Sequence, residues 1–170
     1  MILNDNFKKV IEATAKQLQP LGLIRRGMVL RIMGQDNCGI VEFQRSTKSS
    51  KERLLFTINL GVVCGDLLDL GPAGLKKARI IDAHLWQRIG MFLPGRPDKW
   101  WEITVSTDSD ALAREVADLV FEKAVPYIQR YLSTDSILTL WESGESPGLT
   151  NGQRANFLAM LKAKRQGGAA

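Results

Sequence analysis

The sequence predicts an α+β protein: a single domain in which a curved antiparallel sheet of about five strands packs on an N-terminal helix and a long C-terminal helix, followed by a helical C-terminal extension. Three observations lead there. Apolar residues recur at helical spacing near the start, three β-patterned segments follow with connections too short for crossovers, and the last third returns to helical spacing. The 170 residues are one domain's worth of chain, enough to bury a core without disulfide or metal. With 45% apolar and 24% charged residues, most of the chain is excluded from disorder.

Phe7, Val10, Ile11, Thr14, Leu18 and Leu21 share one helical face, with Lys8, Lys9, Glu12, Lys16 and Gln19 opposite. Asn4 or Asn6 is the expected cap, because an asparagine oxygen accepts from the first free amides, and Pro20 and Gly22 mark the stop. Strands are predicted over Met28–Met33, Ile40–Arg45 and Leu54–Leu60, separated by the turn-forming run Gly34–Gly39 and the polar stretch Ser46–Lys51. Pairing Ile32 with Val41 and Leu30 with Phe43 places Met28, Leu30, Ile32, Val41, Phe43, Phe56, Ile58 and Leu60 on the core face. Arg31, Glu42, Gln44, Thr57 and Asn59 fall on the other face; a slip of one residue would bury Arg31 and Glu42.

Residues 64–83 contain Gly65, Gly71, Pro72 and Gly74 and read as a loop with one short helical turn. His84–Phe92 and Trp100–Val105 read as a second hairpin joined by Leu93–Lys99, although 75–89 also fits a helix through Ile81, Leu85 and Ile89. In the strand reading Leu85, Ile89, Met91, Trp101, Ile103 and Val105 face the core, and His84, Trp86, Arg88, Trp100, Glu102 and Thr104 face away. Ser106–Asp110 offers caps for a long helix with the stripe Leu112, Val116, Leu119, Val120, Ala124, Tyr127, Ile128 and Tyr131. Pro126 lacks an amide hydrogen and crowds the carbonyl of Glu122, which predicts a kink there. The core domain is thus set at 1–133, with 134–170 a helical extension packed on or flanking it. The extension comprises a short helix over Ser136–Glu142, a capping box at Thr150 and Gln153, a helix from Asn151 to about Lys164, and a frayed tail over Gln166–Ala170.

The 23 Lys and Arg against 18 Asp and Glu give a net charge of +5, which favours anionic partners without choosing among them and is ordinary for a soluble domain. The cations are scattered over Lys8 and Lys9, Arg25 and Arg26, Lys76 and Lys77, and Arg154 to Arg165, with Glu42, Glu102, Asp110, Glu115, Asp118 and Glu122 between them. Groove-tracking proteins need one continuous positive stripe, so no specific nucleic-acid binding is expected. Cys38 and Cys64, with one His and no C-x-x-C, exclude a disulfide framework and argue against structural zinc; no cofactor is expected. No run of 18 apolar residues offers a membrane span, and the opening MILNDNFKKV lacks the order of a signal peptide, so a cytoplasmic location is expected.

Gly71–Lys77 has two residues between its glycines, where a P-loop needs four and a hydroxyl after the lysine; it reads as a loop. His84 is the lone imidazole, no G-x-S-x-G occurs, and Asp66/Asp69 and Asp108/Asp110 read as turn and cap residues, so no catalytic residue and no metal ligand is assigned. Trp100-Trp101 is more informative, because adjacent strand residues point to opposite faces: one indole belongs to the core and the other to the open face, with Trp86. Arg31, Glu42, Gln44, Asn59, Trp86, Arg88, Trp100 and Glu102 therefore form a candidate binding face with stacking and hydrogen-bonding capacity. The competing explanation is a face covered by a helix or a second subunit.

The order and spacing of Leu21-Gly-Leu-Ile-Arg-Arg-Gly27, Val41-Glu-Phe-Gln-Arg-Ser46, Phe56-Thr-Ile-Asn-Leu-Gly-Val62, Arg88-Ile-Gly90 and Trp100-Trp101, behind an amphipathic helix, resemble the bacterial domain-of-unknown-function family 4304 over about residues 7–132. The resemblance implies this fold and carries no activity; its motif positions Gln44, Asn59, Arg88 and Trp100 lie on the open face. The expected function is a non-enzymatic binding or interaction module with a protein partner. The alternative is an enzyme or sensor acting on a small phosphate- or carboxylate-bearing ligand, with Arg31 and Arg88 as clamps and Glu42 or Glu102 as a general base; an arginine beside such a carboxylate lowers its pKa and weakens it as a base.

Overall fold

A computed structural model describes residues 2–167 of the chain. Helix α1 (Ile2–Leu18) buries Leu3, Phe7, Val10, Ile11, Thr14 and Leu18, the face its spacing predicts. It begins before the asparagines expected to cap it, so Asn4 lies within the helix and accepts from Arg45 Nη1 at 3.1 Å. The chain then tightens over Gln19–Leu21 and turns at Gly22, whose φ of 87° suits glycine.

Strands β1 (Ile24–Arg26), β2 (Val29–Met33), β3 (Asn37–Arg45) and β4 (Leu54–Cys64) form an antiparallel meander; β5 (Leu85–Arg88) and β6 (Trp101–Ile103) both pair with β4. Strand β1 is absent from the sequence expectation. Leu30 lies opposite Val41 and Ile32 opposite Gly39, two residues from the expected pairing. The turn is shorter than the breakers suggest: Gly34 N–H donates to Asn37 O at 2.8 Å, and Asn37, Cys38 and Gly39 are already strand. A shift of two preserves side-chain parity, so Leu30, Ile32, Val41, Phe43, Phe56, Ile58 and Leu60 are all buried on one face. Met28 is not; it sits in the two-residue turn between β1 and β2, exposed.

The expected second hairpin does not form. Leu85–Arg88 pairs with Asn59–Val62 and Trp101–Ile103 with Leu54–Phe56, in series along one edge of β4. An 11-residue strand is long enough to hold both. Between them Ile89–Phe92 winds into a 3₁₀ turn, and Gly90 lets the Pro97 carbonyl approach where a Cβ would overlap it. Met91 and Val105, expected in the core, lie beyond the strand ends and are exposed. After Cys64, the last residue of β4, the segment to 83 contains two single-turn helices, α2 (Gly65–Leu68) and α3 (Pro72–Leu75), and a 3₁₀ turn at Ile80–Asp82; strand pairing resumes at Leu85.

Asp108 caps α4 (Ser109–Leu119), its carboxylate accepting from the amides of Asp110 and Ala111 at 3.0 Å. A π-helical turn over Val120–Ala124 leads into α5 (Val125–Arg130) and accommodates Pro126, at the place where a kink is predicted. Helix α4 packs on α1, and α5 reaches β3 and β4. Gly39 permits that approach, since a Cβ there would overlap Ile128. Helices α6 (Thr134–Glu142) and α7 (Asn151–Gly167) follow, with the Thr150–Gln153 capping box formed in both directions. Trp141 and Leu161 join the main core. Gln166 and Gly167 continue α7; the rest of the expected frayed tail, 168–170, lies outside the described residues.

Candidate functional site

Strand pairing sorts the second face of the sheet into rows. One runs Arg31, Ile40, Gly61, Trp86 and the next Val29, Glu42, Asn59, Arg88, followed by Gln44 beside Thr57. The first row is roofed over Ile40 and Gly61, while Trp86 at its end is exposed. Cys38, Ile40 and Val63 pack with Leu75 and Ala78 in a small second core, and Gly61 admits Ile80 and Ala83, which would stand 2.7 and 2.8 Å from a Cβ there. Arg31 Nε donates to Ala78 O at 2.8 Å under this roof. The second row is partly open: Val29 packs against the small core and Asn59 is buried, while Glu42 and Arg88 are half-buried.

On the open part Asn59 is the centre. Its side chain is buried, and its Nδ2 donates to Gln44 Oε1 at 2.8 Å and Glu42 Oε2 at 3.2 Å. Across β4–β5 its neighbour is Arg88, whose Nη1 donates to Asp98 Oδ1 at 2.6 Å. Asp98 Oδ2 accepts from Trp100 Nε1 at 3.0 Å, and the Arg88 guanidinium lies 5.2 Å from the Trp100 ring centroid. Arg88, Asp98 and Trp100 thus lock one another in place by two charge-assisted hydrogen bonds and a cation–π contact. The indole hydrogen bond, then the arginine, hold the Asp98 carboxyl below its ordinary range. Among the described residues four buried side-chain atoms have no hydrogen-bond partner; two of them, Asn59 Oδ1 and Arg88 Nε, lie in this cluster, and the others, Trp141 Nε1 and Arg154 Nε, lie outside it.

Five of the eight sequence-derived residues therefore come together: Glu42, Gln44, Asn59, Arg88 and Trp100. Trp86 flanks them and lines, with Met91, Arg96, Pro97 and Pro147, a recess of about 460 Å³. Arg31 and Glu102 stand apart. Three interstrand spacings separate β2 from β5, and Arg31 is in register with Trp86, two residues from Arg88, so the two arginines are about 16 Å apart at the backbone. Glu102 lies opposite Leu55, four residues along β4 from Asn59 or about 13 Å, and ion-pairs with Arg53. Asp98 is the residue sequence reasoning missed. Its signal is the two-residue spacing to Trp100, which in extended chain puts both on one side.

His84 precedes β5 and is buried, not exposed on the open face. Its Nδ1 accepts from the Cys64 amide at 3.1 Å and Phe157 of α7 stands edge-on to its ring. Burial pushes its pKa down to about 4, so the ring is neutral. Cys38 and Cys64 are free and buried, and burial raises both thiols, Cys38 to about 11. Among the described residues no three His, Cys, Asp or Glu side chains are grouped to hold a metal, and no helix is long and apolar enough to cross a membrane.

The sequence matches the family described as Domain of unknown function (DUF4304) over residues 14–130, and the chain belongs to that family. No curated protein and no solved structure matches it. The matched span contains the whole cluster from Glu42 to Trp100 and ends before α6 and α7.

Proposed function

We propose that this DUF4304 member is a non-enzymatic binding module that holds an uncharged polar group of a protein partner on the open part of its sheet, at Asn59, Arg88 and Trp100. The observation that carries the reading is the pair of unpartnered buried atoms, an acceptor on Asn59 and a donor on Arg88, on adjacent strands. Buried polar atoms are nearly always hydrogen-bonded, and leaving one unmatched costs about 1–3 kcal/mol. An amide offers the matching donor and acceptor, and because both atoms lie out of solvent's reach it engages them only when the Arg88 side chain moves. The Trp100 ring supplies a flat apolar wall beside them.

The charge of the cluster weighs against the anion-binding alternative. Glu42 and Asp98 outnumber Arg88, and Arg88 is already paired. The distance between Arg31 and Arg88 weighs against a clamp on one small anion. The lowered pKa of Asp98 makes it a poor base. A cytoplasmic site of action goes with this reading, since the two cysteines are free thiols.

The test is capture of partners by the native chain and by Arg88→Ala and Trp100→Ala, each checked by thermal unfolding. Both variants should stay folded and lose the partner; retention of every partner by both removes this face from consideration. A metabolite thermal-shift screen separates the alternative, because a small ligand at 100 times its Kd stabilises by about 2.7 kcal/mol.

A further inference from the structure

The two edges of the sheet are finished differently. At the β5 edge the Trp86 amide donates to Pro147 O at 3.3 Å, and Gly148, φ 78°, lies so close that a Cβ would come within 2.5 Å of Trp86 O. A loop before α7 therefore occupies that edge. At the other edge β1 lies outermost. Gly27 (φ 62°) and Met28 make a two-residue turn with glycine first, so the flanking pair Arg26↔Val29 exchanges the hydrogen bonds. One residue along, Arg25 turns its own N–H and C=O away from β2, toward the free side.

The side chains beside this edge are of two kinds. Leu21, Ile24, Ile32 and Met33 contribute apolar surface to a recess of about 370 Å³ at this edge, and Ile24 is 69% exposed. Arg26, Arg31 and Lys76 line the same recess, and no carboxylate does. Among the described residues none of these three cations is in an ion pair. Charges on an edge strand ordinarily serve to repel other strands. An exposed isoleucine beside an apolar recess works against that purpose, whereas uncompensated cations select the sign of what may pair.

We propose that β1 is a docking edge for an extended acidic peptide segment of a partner protein. The segment adds as a further strand through the outward N–H and C=O of Arg25. It seats an apolar side chain against Leu21, Ile24 and Met33 and sets its carboxylates beside Arg26, Arg31 and Lys76. A second copy of this chain is a poor occupant, since pairing β1 with itself through Arg25 brings that arginine against its own kind. The edge lies across the sheet from Arg88 and is independent of the open-face reading.

The probe is an end-blocked heptapeptide of alternating glutamate and valine, with a lysine–valine twin as control. Binding is followed by amide NMR shifts of the full chain. The acidic peptide should shift residues 21–33 and Lys76, and more weakly as salt rises; the basic twin should not. Arg25→Pro, which removes the outward amide, should abolish the shifts. Should that variant not fold, Arg26→Glu combined with Lys76→Glu decides: it should weaken the acidic peptide by about tenfold and admit the basic one. Arg88→Ala should change nothing here, which separates this proposal from the open-face reading. Equal shifts by both peptides, shifts confined to other residues, or a dimer in sedimentation that Arg25→Pro dissolves would each overturn it.

Discussion

The two halves of the second sheet face are built from the same strands with the same parity, yet one is roofed by apolar residues and the other is polar and only partly covered. Toward the start of β3 and the end of β4 the outward residues are Cys38, Ile40, Gly61 and Val63; a few residues away they are Glu42, Gln44, Thr57 and Asn59. The first set is small or apolar and carries the 70–83 segment as its cover. The second is polar and only partly covered: Thr57 is buried and its Oγ1 donates to Lys99 O at 2.7 Å, Asn59 is buried, and Gln44 is exposed. A strand buried on both faces reads as continuous apolar sequence and one buried on a single face as alternation, and β3 passes from one regime to the other within its own length. The same strand can thus serve stability at one end and recognition at the other.

That contrast breaks most readily in the roofed half. Ile40→Ala, which hollows the small core, should lower stability by on the order of 3 kcal/mol in urea unfolding. A loss like that of a surface change would mean the roof is loosely held. Next comes acid. His84 has a folded pKa of about 4 against an ordinary 6.5, so the fold favours the neutral ring. Its contribution is complete above pH 6.5 and is lost as pH falls toward 4, by on the order of 3 kcal/mol. His84→Asn, whose side-chain oxygen can take the Cys64 amide, should flatten stability across that window; an unchanged profile would assign the acid sensitivity elsewhere.

The polar half should respond weakly to the same measurement. Trp100→Ala removes one partly exposed cation–π contact and one hydrogen bond, and its loss in thermal unfolding should stay below about 1 kcal/mol. Gln44→Ala, on an exposed side chain, should fall within about 0.5 kcal/mol. A Gln44 loss as large as that of Ile40 would mean the two halves are not different in kind.

What could be read from sequence follows the same division. Alternation sorted Leu30, Ile32, Val41, Phe43, Phe56, Ile58 and Leu60 correctly because parity survives a register error of two. It failed for Met28, Met91 and Val105 because parity carries no information about where a strand stops. Gly39 looked like a turn residue, but its missing side chain serves the approach of α5. Periodicity cannot show that β5 and β6 share an edge of β4, since that choice rests on how the 89–99 connection folds back. For the same reason Asp98, in that connection, is not legible in the strand pattern, whereas parity alone puts Asn59, Arg88 and Trp100 on one face.

The π turn before Pro126 has a counterpart in phase. Leu112, Val116, Val120, Ala124 and Ile128 are buried at a strict interval of four. In a regular α-helix each such step overshoots a full turn by about 40°, so the stripe would drift by about 160° from first to last. One residue accommodated in a wider turn withdraws about 100° of that drift and brings Ile128 back toward the side Leu112 faces. The interval of four is thus a clock running slow against the helix, and the wide turn at Val120–Ala124 is where it is reset.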